Sequence, residues 1–169
     1  MCPQGTPVDI EVPLGTGSTE DNFAATEDAY VKQKKATDNY GSSSDLRVRS
    51  SSTKEINSYL KFTVSGVGSV TNATVKVWSV NVNMGVDVYQ SASTTWSEGS
   101  ITWNTAPGST GGSLDNVTVT TGWTEFDVTS LVSGDGTYSF VLKGDLNKGS
   151  RDFSSSEGAN APVLSVTHQ

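Results

Sequence analysis

The sequence holds 169 residues with a formal net charge of −7, 18 acidic against 11 basic, and only 17 % of its residues are charged. That length fits one domain with a real hydrophobic core. The acidic balance excludes nucleic-acid binding across the whole surface, and no apolar run is long enough to span a bilayer. The 17 glycines, with abundant Val, Thr, Ser and Asn, favour short strands and tight turns over helices.

In chain order, residues 1–25 read as an N-terminal linker with one amphipathic strand at 7–14. Gly, Thr and small polar residues flank a stretch where Val8, Ile10, Val12 and Leu14 alternate with Pro7, Asp9, Glu11 and Pro13. Two readings stay open for it. It is an edge strand of its own domain or the tail of a preceding module, or it is donated to the open sheet edge of a neighbouring copy, linking subunits of an extracellular fibre. The single cysteine, Cys2, allows no internal disulfide. Next to Met1 it is either incidental or the lipidated or cross-linking cysteine of a surface protein.

Residues 26–169 form a continuous series of strand-like segments. Runs at 28–33, 45–50, 58–64, 73–78, 86–89, 117–119, 122–128, 138–143, 150–154 and 162–166 alternate apolar with polar side chains, and a Gly/Ser turn cluster is expected at 108–113. Only 129–133 reads as a helical turn, after Asp127 and closed by Gly134. The pattern predicts an all-β, antiparallel β-sandwich of jelly-roll type.

The stretch 28–63 carries the main functional signal. Alternation assigns Ala29, Val31, Leu46, Val48, Leu60, Phe62 and Val64 to a shared core, and places Tyr30, Lys32, Arg47, Arg49, Tyr59 and Lys61 on the opposite face. Seven of the 11 basic residues fall between 32 and 61 (Lys32, Lys34, Lys35, Arg47, Arg49, Lys54 and Lys61). Aromatic rings meet the C–H faces of sugars, Arg gives a carboxylate a two-pronged hydrogen bond, and Lys adds a point charge. These six residues therefore point to an acidic, uronate-type polysaccharide as partner.

Catalytic chemistry is poorly provided for. The sole histidine, His168, and the sole cysteine, Cys2, lie at opposite ends of the chain, so Ser-His-Asp and Cys-His arrangements and a zinc site are not expected. A noncatalytic binding domain is the predicted class. Among the carboxylates, Asp28, Asp127, Asp152 and Glu157 are open candidates for a structural calcium, although no loop has the ligand spacing of a recognised calcium loop. Trp96, Trp103 and Trp123 are expected to plug the ends of the sandwich. Trp78, in phase with Lys76, is expected on an exposed face.

Several segments together resemble the DNRLRE-type extracellular domains: Asp28-Ala-Tyr-Val31, Asn39-Tyr-Gly41, Leu46-Arg-Val48, Ser58-Tyr-Leu-Lys-Phe62, Thr95-Trp-Ser-Glu98, Ile101-Thr-Trp-Asn104, Phe126-Asp-Val-Thr129 and the run from Phe153 to Pro162. That group is related to carbohydrate-binding modules that recognise alginate and similar uronate polymers. The resemblance spans about 26–167 and departs at Asn57 and Lys61, where arginines are expected, and at Thr63, where an acid is expected. It implies a secreted β-sandwich, outside the cell or at its surface, with alginate as the leading ligand. The residues themselves predict no nucleic-acid partner and no membrane span, and the donated-strand reading of residues 7–14 makes copies of the chain a second partner.

Overall fold

The computed structural model describes residues 17–80, 85–145 and 149–169, so the strand expected at 7–14 lies outside the described residues. Among the described residues eleven strands form: β1 (Thr19–Ala24), β2 (Glu27–Lys32), β3 (Asp45–Val48), β4 (Ile56–Val64), β5 (Val70–Ser79), β6 (Gly85–Ser91), β7 (Ser109–Thr118), β8 (Gly122–Asp127), β9 (Gly136–Gly144), β10 (Arg151–Ser154) and β11 (Val163–His168). Every pairing is antiparallel. One sheet runs β1-β11-β5-β10-β3, with β8 also paired to β5; the other runs β2-β4-β9-β6-β7. The chain changes sheet at most of its connections, so sequence neighbours usually sit in opposite layers. This is the predicted antiparallel sandwich.

The alternation of Leu60, Phe62 and Val64 with Lys61 and Thr63 sets the inner face of β4, and the same rule gives Val75 and Val77 on β5 and Phe140 and Leu142 on β9. Phe62 and Phe140 meet between the sheets, ring centroids 6.0 Å apart, with no exposure. Burying each such ring contributes roughly 1.5–3 kcal/mol.

Three expectations are corrected. Residues 19–24 are not linker: β1 pairs along its whole length with β11, from Thr19 opposite His168 to Ala24 opposite Val163. Its polar sequence hides a strand held by backbone hydrogen bonds, with Phe23 alone packed on the core. The Gly/Ser cluster at 108–113 falls largely within β7, where a register shift between Val88 and Gln90 and the positive φ of Gly111 (72°) absorb the irregularity.

Finally, Ala29 and Val31 do not share the core of Leu60 and Phe62. Ala29 pairs with Tyr59 and Val31 with Asn57, so they point to the outer face of their sheet. There a long connection, 92–108, lays Trp96, Ile101, Trp103 and Ala106 over them and builds a second apolar cluster with Tyr59 and Val141. Asn39 secures that connection, donating from Nδ2 to the carbonyls of Glu98 (2.6 Å) and Ile101 (2.7 Å).

Candidate functional site

The basic segment folds into a cleft along one side of the sandwich, where edge strands β2 and β3 of opposite sheets approach. Ser58, fully buried on β4, accepts from the Arg47 N–H (2.9 Å) and donates to the Arg47 carbonyl (2.7 Å), tying β3 to the other layer. Arg49 and Ile56 then exchange backbone hydrogen bonds and start the β3–β4 hairpin. After β2 the chain makes a 3-10 turn, Gln33–Lys35, stitched to that hairpin by Gln33 N–H to the Glu55 carbonyl (3.0 Å) and Glu55 N–H to Gln33 Oε1 (3.2 Å). Lys34 and Lys54 are thereby held on the same rim.

The resulting cleft has a volume of about 240 Å³ and is lined by Lys32, Lys34, Arg47, Arg49 and Lys54, with Glu55 the only acidic side chain of its lining among the described residues. Cations gathered this closely repel one another, and an anionic ligand relieves that cost. An aromatic pair adjoins it. Tyr30 and Tyr40 stack with centroids 4.5 Å apart and planes 16° from parallel. The Lys32 ammonium lies 4.4 Å from the Tyr40 ring and 5.1 Å from Tyr30, and the Arg47 guanidinium lies 5.8 Å from Tyr30. Cation–π contact orients both cations without neutralising them. Asp152, on β10, accepts from Arg47 Nε at 2.5 Å and holds the guanidinium pKa above its ordinary value.

Of the six residues expected on one surface, four come together here: Tyr30, Lys32, Arg47 and Arg49. Tyr30 is only 6 % exposed, so the ring that meets solvent is Tyr40. Tyr59 and Lys61 lie elsewhere, on the outer face of the β2-β4 sheet. Tyr59 is 2 % exposed and packs edge-on against Trp96. The Lys61 ammonium is enclosed by the Glu27 carboxylate and the Trp96 carbonyl, 4.6 Å from the Trp96 ring. Both are structural props for the 92–108 connection, because β2 and β4 bury both faces.

Lys34, Lys54 and Tyr40 were missed as site residues. They come from a turn, a hairpin tip and a loop, where period-two reasoning has no grip. Their signal was clustering: Lys34 and Lys54 belong to the basic run, and Tyr40 to the Asn39-Tyr-Gly41 segment.

The tryptophans divide unevenly. Trp96 is the expected plug, 8 % exposed and donating from Nε1 to Ser139 (2.8 Å), and Trp103 is half-buried against the same cluster. Trp123 departs from expectation: at 44 % exposure it lies on the outer face of its sheet, edge-on to Trp78 with centroids 5.5 Å apart.

The four calcium candidates do not converge. Asp152 is engaged by Arg47, and Asp127 accepts from the Thr129 N–H. Asp28, 1 % exposed, accepts from Ser156 N–H on Oδ2 (2.8 Å) and has no hydrogen-bond partner on Oδ1. Burial first, then the nearby carboxylates of Glu157 and Glu98, push its pKa up to about 7. Among the described residues no group of three or more His, Cys, Asp or Glu side chains is placed to hold a metal. His168 ties β11 to β1 and to the β4–β5 connection, its Nε2 2.9 Å from Asp21 and its Nδ1 accepting from Gly68 N–H. No helix among the described residues is long and apolar enough to cross a membrane.

No curated protein matches the chain. Among solved structures, the C-terminal CBM6 of LamC, a marine laminarinase from Zobellia galactanivorans, is 12 % identical over 82 % of this chain and 98 % of that one, with a TM-score of 0.31. The model of carbohydrate-binding module family 96 matches residues 19–168, from the first strand of the sandwich to the end of the last. That span takes in both sheets, the cationic cleft and the tryptophan face, and the chain belongs to carbohydrate-binding module family 96.

Proposed function

We propose that this chain binds an acidic, uronate-type polysaccharide without transforming it, through the cleft between β2 and β3, with alginate as the leading ligand. The observation that carries the reading is the lining itself: five cationic side chains gather in a protein of net charge −7, against Glu55 in the lining and Asp152 bonded to Arg47. A neutral glycan gains nothing from such a concentration of charge, whereas a polymer with a carboxylate on every unit pairs with several cations at once. Arg49 and Lys54 are free to give charge-assisted hydrogen bonds, Arg47 shares its guanidinium with Asp152, and Tyr40 offers a ring face beside them. A binding role without chemistry is supported by His168, whose two ring nitrogens are both occupied by structural contacts. A uronate polymer places the working protein outside the cell or at its surface.

Native electrophoresis through gels containing alginate, other polyuronates or a neutral glucan tests the reading. Retardation is expected on the polyuronates alone, weakening with added salt and lost in Arg49→Ala/Lys54→Ala. Unretarded migration on every uronate polymer would overturn it, as would retention by the double variant.

A further inference from the structure

The outer face of the β5 sheet carries a second contact area that the cleft does not use. On β5, Val75, Val77 and Ser79 point inward, so Trp78 and Val80 point out; on β8, Thr124 and Phe126 point inward, so Trp123 points out. Trp78 and Trp123 are directly opposite in register. Among the described residues, Trp123 and Val80 are the two large apolar side chains most open to solvent, at 44 % and 53 %. An exposed apolar surface on a protein with so small a hydrophobic share is where a partner is expected.

The tryptophan pair is continuous with the cleft. Val80 N–H donates to the Asp152 carbonyl (3.2 Å), and Asp152 pairs in register with Arg47, both on the same outer face. From Trp78 to Arg47 is two strand spacings, about 10 Å, and one step along the face, about 7 Å. Val80 fills the step between them. Beyond the tryptophans the face turns acidic, and Lys76 there is already shared by Glu20 (3.9 Å) and Glu125 (3.7 Å).

We infer that Trp78 and Trp123 form a stacking platform for the pyranose rings of a uronate chain that leaves the cleft past Arg47 and crosses the β5 sheet. The inference rests on the cleft reading above and extends it from a single charged pocket to a path several sugar units long. Stacking suits this end of the path. Indole accepts the C–H face of a pyranose without needing its carboxylate, which can then point to solvent. The acidic residues past the platform set where a polyanion stops. A chain too short to reach from the cleft to Trp123 gains nothing from it.

Size-fractionated oligouronates test this by calorimetry and tryptophan fluorescence, with wild type, Trp123→Ala, Trp123→Phe and Arg49→Ala compared. The intact protein is expected to bind longer chains more tightly and to shift its emission only with them. Trp123→Ala should lose about fivefold on long chains, as expected for one aromatic contact, and nothing on short ones. Trp123→Phe should recover most of the loss, while Arg49→Ala weakens every length. Equal long-chain affinity in Trp123→Ala and wild type overturns the platform and leaves the cleft standing. No binding of any length by wild type overturns both. A wild-type dimer in sedimentation that becomes monomeric in Trp123→Ala makes this a self-association face and overturns the platform as well.

Discussion

Arg47 and Asp152 stand opposite each other on β3 and β10, Nε to Oδ1 at 2.5 Å, with the guanidinium also 5.8 Å from the Tyr30 ring. In the proposed binding mode Asp152 holds in place a cation that pairs with a uronate, while adding a negative charge beside the proposed ligand route. The second effect is expected to dominate, because Tyr30 still orients Arg47 when the carboxylate is gone. Asp152→Asn should tighten uronate binding by a few fold and make it more salt-sensitive, since one more cation is free to pair with ligand. Calorimetry at two ionic strengths reads both effects. Weaker binding by Asp152→Asn would show instead that the carboxylate is a necessary brace.

Lys61 separates charge that serves the fold from charge that serves the site. Its ammonium sits between Glu27 and the Trp96 carbonyl beneath the 92–108 connection, away from the cleft. Lys61→Ala should therefore cost stability and leave uronate affinity unchanged. The expected loss is about 2 kcal/mol, below the full cost for a deeply buried pair because Glu27 keeps access to water. Urea unfolding and calorimetry on the same preparation measure the two quantities. A fall in affinity larger than the fall in stability would return Lys61 to the binding surface.

The residues that sequence reading misplaced share a physical cause. Alternation tells which side chains share a face of one strand, and Leu60, Phe62 and Val64 were legible because only one of their faces is strongly apolar. In β2 both faces carry bulky groups, Tyr30 on one and Ala29 with Val31 on the other. Nothing in the local pattern says that the 92–108 connection covers the outer one. The exposure of Trp123 was legible in the alternation of Trp123, Glu125 and Asp127 against Thr124, Phe126 and Val128, but the turn-rich context and the size of the ring argued for burial. The cleft was legible as a charge cluster and illegible as a shape. Lys34 and Lys54 meet only because Gln33 and Glu55 bond across 22 residues of chain.

Tyr40 is expected to matter twice. It covers Tyr30, stacked at 4.5 Å, and it receives the Lys32 ammonium at 4.4 Å. Tyr40→Ala should cost about 1 kcal/mol of stability through the lost stack and cation–π contact, and it should weaken uronate binding by releasing Lys32 to solvent. Tyr40→Phe keeps the ring and should behave as wild type in both respects. Thermal unfolding and affinity electrophoresis of the pair decide the matter. A Phe variant as weak as the Ala variant would mean that the hydroxyl, 3.4 Å from Asp38, carries the effect instead.

Asp28 makes the fold sensitive to pH. Its folded pKa is pushed up to about 7, mainly by burial, against about 3.9 for an unfolded aspartate. Below about pH 4 both states hold the proton and Asp28 costs nothing. Between about pH 4 and 7 the folded chain holds a proton that the unfolded chain has released, so stability falls as pH rises; above about 7 the whole penalty applies, on the order of a few kcal/mol. Asp127 and Asp135 have the opposite sign, their pKa values lowered by hydrogen bonds from Thr129 and from the N–H groups of Gly66 and Val67, and their stabilisation is lost only as pH drops into the acid range. Asp28→Asn keeps an oxygen to accept from Ser156 N–H, removes the charge, and gives the partnerless Oδ1 position a chance to donate toward Glu98 or Glu157. Urea unfolding from pH 4 to 9 should show wild type losing stability toward pH 8 and the variant nearly flat, with the variant the more stable of the two at pH 8. Parallel pH profiles for the two proteins would rule out Asp28 as the group responsible.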